Sequence, residues 1–341
     1  MASKKPLQDN SSTSPGTVVI TGTSSFKGSR LLRELENNPR IKNLVAIDKH
    51  KPQFSLKKAR FYRLDLTETT ADAQLTEILK KEKCSTLVHC ALPITPPRDQ
   101  AYSHELISVG TMYVLTACAA ADVKKIILPT TTDVYGAFPT NPNFLQENLH
   151  KPKGDLLSKF LADCMDAENQ ALSFSKKYPD RIVTILRPCT ILGPTVQSFK
   201  TRLLRRFFFT TMLGFDPLIQ FIHEDDIMAA FHLAIFKDCP GIFNIVGDGV
   251  LPLSRVLAIS GKFHIPLPQI GFKTLVQLLW YLDIAPAPSS HVNFLRYLCI
   301  ADGSKAKKVM GFTPRFSTKD ALLSFVGAER LREINLIELN A

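Results

Sequence analysis

A glycine-rich turn near the N-terminus carries the clearest chemical signal in the sequence. Residues 21–28 read TGTSSFKG and follow TVVIT, a β-branched run typical of a buried parallel strand. A strand that feeds a tight turn into a helix presents backbone N–H groups and the positive end of the helix dipole to a pyrophosphate. Gly22 and Gly28 match the outer positions of a GxxGxxG pattern, and Ser25 occupies the middle one. We therefore expect dinucleotide phosphates to bind here, with some affinity lost to the Cβ of Ser25.

An acidic residue supports the same interpretation. Asp48 lies twenty residues beyond Gly28, at the end of the second predicted strand, where a carboxylate can accept hydrogen bonds from an adenosine ribose. Asp48 repels a 2′-phosphate and so favours NAD, but Lys49, His50 and Lys51 follow it, and NADP stays an alternative. A structural alternative also stays open, in which these residues are a turn glycine, a helix-packing glycine and a solvent-facing acid.

Composition places the chain among folded globular proteins. Of its 341 residues, 45% are hydrophobic and 21% charged, which excludes wholesale disorder and a multi-span membrane protein. The net charge of +11 favours phosphates, acidic partners or an anionic membrane, but no zinc finger, RNP motif or basic zipper accompanies it, so we expect no nucleic-acid partner. The apolar run at 275–284 is too short to span a bilayer, and peripheral membrane contact stays an alternative.

Cysteine usage indicates the compartment. The seven cysteines include no CxxC pair, so they are typical of buried reduced thiols and not of a disulfide or zinc framework. We therefore predict a cytoplasmic protein without a metal site.

The elements that must position these residues alternate between strand and helix. The patterns predict strands at 17–21, 44–48, 60–66, 86–91, 124–130, 181–188 and 241–247. They predict helices after the glycine turn and at 72–83, 106–121, 155–178 and 227–235, followed by helices joined by Pro-rich turns. This order predicts an α/β fold of the Rossmann type, a doubly wound parallel sheet with helices on both faces.

With these residues in place, the chain resembles the extended short-chain dehydrogenase/reductases, the group of NAD-dependent epimerases and dehydratases. The resemblance runs from about residue 17 to residue 326 and rests on the order and spacing of several strings. They are TGTSSFKG, LDL at 64–66, LVHCAL at 87–92, TTTDVYG at 130–136, LSK at 157–159, LRPCTILGP at 186–194 and FIHEDD at 221–226. The resemblance implies NAD as cofactor and further cofactor contacts from Phe26, Asp65, Leu66, Cys90, Ala91 and Lys159.

The resemblance also implies a smaller, mostly C-terminal substrate lobe. It divides the chain into a flexible tail (1–15), a dinucleotide-binding domain (16–195 and 221–248) and the lobe (196–220 and 249–341). Phe, Leu and Arg in the lobe suit an apolar small-molecule substrate such as a sterol, or a nucleotide sugar whose diphosphate meets Arg202, Arg205 or Arg206. Core aromatics with arginines outside would explain them equally well. A homodimer through helices at 106–121 and 155–178 stays open.

The catalytic residues implied by the resemblance are incomplete. Thr131 aligns with the family's Ser/Thr and Lys159 with its lysine, but Asp155 occupies the position of the tyrosine that exchanges a proton with substrate. A carboxyl group titrates near pH 4 and a phenol near pH 10, and an Asp one helical turn before a Lys should form an ion pair, so Asp155 cannot donate a proton near neutrality.

Two interpretations remain. In the first, the protein is an oxidoreductase or epimerase with atypical proton transfer from Thr131, Lys159 or water. In the second, it is a non-catalytic dinucleotide-binding sensor or scaffold.

Overall fold

The central element of the fold is a parallel sheet. The computed structural model describes residues 15–153, 158–282, 284–285 and 288–338, so residues 1–14 of the predicted tail lie outside it. The described strands are β1 (Thr17–Thr21), β2 (Asn43–Asp48), β3 (Arg60–Arg63), β4 (Cys84–His89), β5 (Lys125–Pro129), β6 (Ile182–Pro188), β7 (Thr190–Leu192), β8 (Phe208–Met212), β9 (Leu218–Ile219), β10 (Phe221–His223), β11 (Gly241–Ile245), β12 (Leu251–Pro252) and β13 (Phe263–Leu267). Seven of them form one parallel sheet in the order β11-β6-β5-β4-β1-β2-β3.

Helices cover both faces of this sheet. They are α1 (Phe26–Glu36), α2 (Ala71–Lys81), α3 (Gln100–His104), α4 (Gly110–Ala120), α5 (Lys159–Lys177), α6 (Phe199–Arg205), α7 (Glu224–Phe236), α8 (Leu253–Ile259), α9 (Phe272–Tyr281) and α10 (Thr318–Glu338). One core cluster joins the sheet to α1 and α7, and a second joins it to α2, α4 and α5. All five residues of β1 are buried, as expected for a central strand covered on both sides. The predicted doubly wound α/β fold is confirmed.

Two sequence predictions of local structure are wrong. The helix expected at 106–121 begins earlier, at Gln100, and a π-helical segment, Glu105–Val109, separates α3 from α4. An extra residue per turn re-aims the side chains that follow, a shift that hydrophobic periodicity does not reveal. The region predicted as helices and turns contains a strand, β13, which pairs in parallel with β8. Its Pro266 argues against a central strand but is tolerated in this two-stranded sheet.

Connections at the carboxyl end of the sheet are fixed by side-chain caps. His223 is the N-cap of α7, and its Nδ1 accepts from Asp225 N at 3.2 Å. Asp226 accepts from Arg315 N at 2.9 Å and from Phe316 N at 3.1 Å, which ties α7 to the loop before α10. The FIHEDD string therefore has a structural role, in which His223 caps α7 and Asp226 fixes a loop.

Features of the whole described chain bear on the other predictions. No helix in the described ranges is long and apolar enough to cross a membrane. All seven cysteines fall within those ranges and none forms a disulfide. No group of three or more metal-ligating side chains occurs there either.

Candidate active site

The turn after β1 is held close to the strands by its two glycines. Gly22 has φ +75°, in the left-handed region, and its N–H donates to Ile47 O at 2.9 Å. A Cβ on Gly22 would lie 2.3 Å from Ala91 N, and one on Gly28 would lie 2.1 Å from Gly22 O. Both distances are overlaps with backbone, so only glycine fits either position. The two glycines thus bring the first turn of α1 onto the ends of β1 and β4.

Ser25 takes the middle position of the turn and is the N-cap of α1. Its Oγ accepts from Gly28 N at 3.1 Å and donates to Cys90 O at 2.8 Å. Phe26 begins the helix and packs, partly buried, against the core. The Ser25 hydroxyl therefore bonds to the protein itself and fixes α1 to the residue that follows β4. The loss of phosphate affinity expected from its Cβ stays a prediction.

Six predicted cofactor residues line one cleft of about 210 Å³, which we call the Gly22 cleft. They follow or end four neighbouring strands, β1 to β4, because the carboxyl ends of parallel strands meet at one edge of a sheet. These six residues are Gly22, Ser25, Asp48, Asp65, Leu66 and Ala91. Phe26, Gly28 and Cys90 do not line the cleft and instead support the turn that does.

The two acids of the Gly22 cleft have different partners. Asp48 accepts hydrogen bonds from Ser24 N at 2.8 Å and from Ser24 Oγ at 2.7 Å. Asp65 pairs with Lys49 at 2.7 Å. Burial opposes ionisation of Asp65, but hydrogen bonds from Lys49 and Thr67 outweigh it and lower the pKa of Asp65. Since Lys49 is committed to Asp65, a 2′-phosphate beside Asp48 would have one cation fewer than the sequence offers.

Thr131 lies at a smaller pocket of about 50 Å³, the Thr131 pocket. It is the N-cap of the 3₁₀ turn Thr132–Tyr135, and its Oγ1 accepts from Asp133 N at 3.2 Å. Lys159 does not line this pocket, because it is the first residue of α5 and is exposed. Asp155 lies outside the described residues. Of the two predicted catalytic residues that the structure describes, Thr131 lines this pocket and Lys159 does not.

Tyr135 is held in a buried network and does not face a substrate. Arg187 Nη1 donates to Tyr135 Oη at 2.8 Å, and Tyr135 Oη donates to Asn244 Oδ1 at 3.0 Å. Arg187 also forms a buried ion pair with Glu168. Burial raises the pKa of Tyr135, which further disfavours proton release. Arg187, in the LRP string, thus supplies a buried charge to the core.

Lys27, inside the TGTSSFKG string, is a buried cation that sequence reasoning missed. Its side chain is 2% exposed, and its Nζ donates to Pro129 O at 2.9 Å. Burial lowers the pKa of Lys27, while nearby Cys90 and Cys164 act in the opposite direction. Lys27 therefore ties α1 to the end of β5, just before Thr131.

A cavity lined mostly by apolar side chains lies beside the Thr131 pocket. This apolar cavity has a volume of about 240 Å³. Its walls come from α6, α8, α9, the strands around β9 and the 3₁₀ segment Ser289–Leu295, and they are mostly aliphatic and aromatic. Among the lining residues are Leu203, Phe209, Phe221, Leu253, Val276, Leu279 and Leu295. Such a cavity favours an apolar occupant.

Four residues line both the Thr131 pocket and the apolar cavity: Asp133, Thr190, Phe199 and Lys200. Lys200 Nζ forms an ion pair with Asp133 Oδ2 at 2.7 Å and donates to Thr190 Oγ1 at 2.9 Å. The two spaces are therefore joined at a polar wall. Sequence reasoning missed this wall, and an acid two residues after Thr131 was the one local signal for it.

His291 is the other polar group at this end of the cavity. It is 7% exposed, and its Nε2 has no hydrogen-bond partner among the described residues. Its ring packs edge-on to Phe199 at 4.9 Å. Burial lowers the pKa of His291 to about 4, with Asp133 opposing that shift and Lys200 adding to it, so the ring is neutral at pH 7. A neutral, buried nitrogen without a partner is rare in proteins, and here it lines a cavity in which a ligand could supply the missing partner.

Comparisons with known proteins agree with this architecture. A model of the NAD dependent epimerase/dehydratase family matches residues 18–246, more than half of the chain. An uncharacterized protein of Mycobacterium tuberculosis is 28% identical over 314 residues, covering 90% of this chain and 82% of that protein. Sterol-4-alpha-carboxylate 3-dehydrogenase, decarboxylating, of Mus musculus is 22% identical over 329 residues, covering 89% of this chain and 88% of that protein.

A solved structure agrees as well. MoeE5 in complex with UDP-glucuronic acid and NAD superposes with a TM-score of 0.72 at 24% identity, covering 93% of this chain and all of that chain. At this identity the likeness concerns the fold. It confirms the predicted Rossmann architecture with a smaller lobe, and the matching family model confirms the predicted cofactor, NAD.

Proposed function

Because the chain belongs to the NAD-dependent epimerase/dehydratase family, we propose that it is an NAD-dependent oxidoreductase acting on an apolar alcohol or ketone. The observation that carries this proposal is the polar wall of Asp133, Thr190, Phe199 and Lys200, which joins an apolar cavity to the Thr131 pocket. An apolar molecule in the cavity would present one end to that wall, and hence to the place where family members carry out hydride transfer.

The cavity is poorly suited to the diphosphate of a nucleotide sugar. Burying a phosphate among apolar side chains is costly unless free cations meet it. Lys200 is paired with Asp133, Arg205 is paired with Glu329, and Arg206 lies exposed at the rim with a hydrogen bond to Ile284 O. Arg202 is exposed and lines an adjoining cleft of about 290 Å³ instead of the cavity. The Mus musculus relative is named for a sterol, which supports the apolar alternative, whereas the MoeE5 structure holds UDP-glucuronic acid.

The Gly22 cleft suits the adenosine half of NAD. The start of α1 offers N–H groups to the pyrophosphate, and Asp48 would accept from the ribose after releasing the Ser24 hydroxyl. Leu66 and Ala91 supply apolar contacts for adenine. When bound, NAD accepts or supplies a hydride. The protein's part is to orient the cofactor and substrate and to manage the proton.

One observation favours a second function, a non-catalytic dinucleotide-binding protein. Lys159 is exposed at the start of α5 and does not line the Thr131 pocket, and Tyr135 is hydrogen-bonded within the core. The family's usual proton carriers are therefore not assembled in the described part of the chain.

Turnover on matched substrate panels decides between the two functions. NADH binding would be measured by fluorescence titration. Turnover would be followed by absorbance, as NADH oxidation with hydrophobic ketones and, separately, as NAD⁺ reduction with UDP-glucose. We expect turnover with hydrophobic ketones only. Val276→Phe, which fills the cavity, should lower kcat/KM at least tenfold without changing NADH affinity, while the exposed Val309→Phe should change neither. NADH binding without turnover on either panel would refute the oxidoreductase and support the non-catalytic protein.

Other partner and location predictions stay proposals with structural support. The unpaired cysteines support a reducing, cytoplasmic location. Three exposed aromatic side chains next to residues that line the cavity support peripheral membrane contact. The ring centroid of Phe207 lies 4.8 Å from that of Phe208 and 5.3 Å from that of Phe263, so the three rings form one cluster. The homodimer through α4 and α5 also stays a proposal.

A further inference from the structure

We propose that Thr190, Lys200, Asp133 and His291 form a binding site for one neutral oxygen atom of the apolar substrate, and that Lys200 supplies the proton carried elsewhere in the family by tyrosine. We call these four residues the oxygen site. The inference rests on the proposed function and deepens it by naming the group on the substrate that is recognised.

The residues of the oxygen site lie together at the wall of the apolar cavity. Thr190, Lys200 and Asp133 line both the apolar cavity and the Thr131 pocket, and His291 lines the cavity. His291 packs edge-on to the Phe199 ring, and Lys200 Nζ lies 5.8 Å from the centroid of the same ring. The polar groups are therefore gathered around one aromatic side chain, at the end of the cavity that a reacting atom must reach.

Two groups of the oxygen site have hydrogen-bonding capacity left for a ligand. Thr190 Oγ1 accepts from Lys200 Nζ, which leaves the hydroxyl hydrogen of Thr190 free to donate to a ligand. The Nε2 of His291 is buried and has no partner among the described residues. A single oxygen atom placed between them would satisfy both groups.

The charges of the oxygen site cancel one another. Lys200 Nζ donates to Asp133 Oδ1 at 3.0 Å and to Asp133 Oδ2 at 2.7 Å, so the ammonium charge is compensated inside the protein. His291 is neutral near pH 7. The oxygen site therefore carries no net charge and suits a ketone or hydroxyl oxygen better than a carboxylate or phosphate.

The chemistry follows from these contacts. In ketone reduction, the carbonyl carbon gains a hydride from NADH, which is oxidised to NAD⁺, and the π electrons of the C=O bond move to oxygen. That oxygen takes the Thr190 hydroxyl proton, and Thr190 takes one from the Lys200 ammonium. Lys200 then regains a proton from water. An alkylammonium group and a phenol release protons in the same range, near pH 10, whereas a carboxyl group does so near pH 4. Asp133 is a positioning residue that holds Lys200.

Binding provides a test that does not depend on turnover. The probes are trans-2-decalone and trans-decalin, which have nearly the same shape and differ in one oxygen, measured by isothermal titration calorimetry. We expect the wild type to prefer the ketone roughly tenfold, as one or two hydrogen bonds to a neutral oxygen would give. Thr190→Val and His291→Phe should each reduce the preference several-fold, and Thr190→Ser should retain it. Thr210→Val, the same change elsewhere in the cavity lining, is the matched control.

The proton role has its own readout. Lys200→Arg keeps the positive charge beside Asp133 but cannot release a proton near neutrality. With a ketone found active in the panel, it should lower kcat at least a hundredfold while leaving KM, decalone binding, NADH affinity and the thermal unfolding midpoint near wild type. Full activity in Lys200→Arg overturns the proton role, and an unchanged ketone preference in Thr190→Val overturns the oxygen site.

The outcomes separate this inference from the proposed function. If the wild type prefers decalone but oxidises NADH with no ketone, the oxygen site stands, and the oxidoreductase and the proton role fall. If the wild type turns over ketones and both Thr190→Val and Lys200→Arg keep full activity and ketone preference, the oxidoreductase stands and the inference is wrong.

Discussion

Acid should destabilise this protein through buried histidines, and the loss from His89 and His291 can be worked out from the structure. Burial also lowers the pKa of His223, which acts in the same direction. His89 is 1% exposed, with Thr21 Oγ1 2.7 Å from its Nδ1 and Thr111 Oγ1 3.2 Å from its Nε2. Burial, aided by the charge of Lys27, lowers the pKa of His89 to about 3. Burial lowers the pKa of His291 to about 4. Both pKa values lie below the unfolded value of about 6.5.

The sign follows from proton binding. Between these folded-state pKa values and about pH 6.5, the unfolded chain binds protons that the folded chain excludes, so stability falls as pH decreases. From pH 7 to pH 5, each histidine removes about 2 kcal/mol from the free energy of unfolding, and the pair about 4 kcal/mol. The exposed His104 contributes the opposite way, because its hydrogen bond to Asp163 raises its pKa.

Urea unfolding at the two pH values tests this reasoning. In His291→Phe, we expect the loss between pH 7 and pH 5 to shrink by about 2 kcal/mol, because the proton that the folded chain excludes from His291 no longer matters. His264→Phe, at an exposed position on β13, is the matched control and should show the wild-type loss. If His291→Phe loses as much stability as wild type, the assignment of a buried neutral ring at this position is wrong.

Three further predictions concern the turn and its supports. Gly28→Ala places a Cβ 2.1 Å from Gly22 O and should lower the free energy of unfolding in urea by about 3 kcal/mol. Gly327→Ala, which lies in open space on α10, is the control and should raise that free energy by about 0.5–1 kcal/mol. Equal effects of the two substitutions would contradict the close approach at Gly28. Asp48→Ala should weaken NADH binding about tenfold by fluorescence titration, and unchanged affinity would remove the assigned role of Asp48. Lys27→Met should be more stable than wild type at pH 7, and this stability difference should narrow as the pH rises towards 10, because burial lowers the folded-state pKa of Lys27. A stability difference that stays constant across that pH range would show that ionisation of Lys27 is not coupled to folding.

The sequence alone determined the parallel sheet and the Gly22 cleft. The β-branched runs, the helix periodicities and the turn at Gly22 are local patterns, and the carboxyl ends of parallel strands must share one edge. Asp48 could be assigned to this cleft from its position at the end of the second strand, and the family resemblance added Asp65 and Ala91, which the structure places in the same cleft.

Only the tertiary structure decided what lies beyond that edge. Lys200 and His291 belong to segments 91 residues apart, and neither lies in a motif, so their meeting with Asp133 depends on how α6 and the segment Ser289–Leu295 pack. Lys27 reads as a surface lysine within the glycine turn, and only its burial beneath β5 shows otherwise. Sequence patterns report the local backbone and one face of each element, whereas the charge and partners of a side chain are set by which elements meet there.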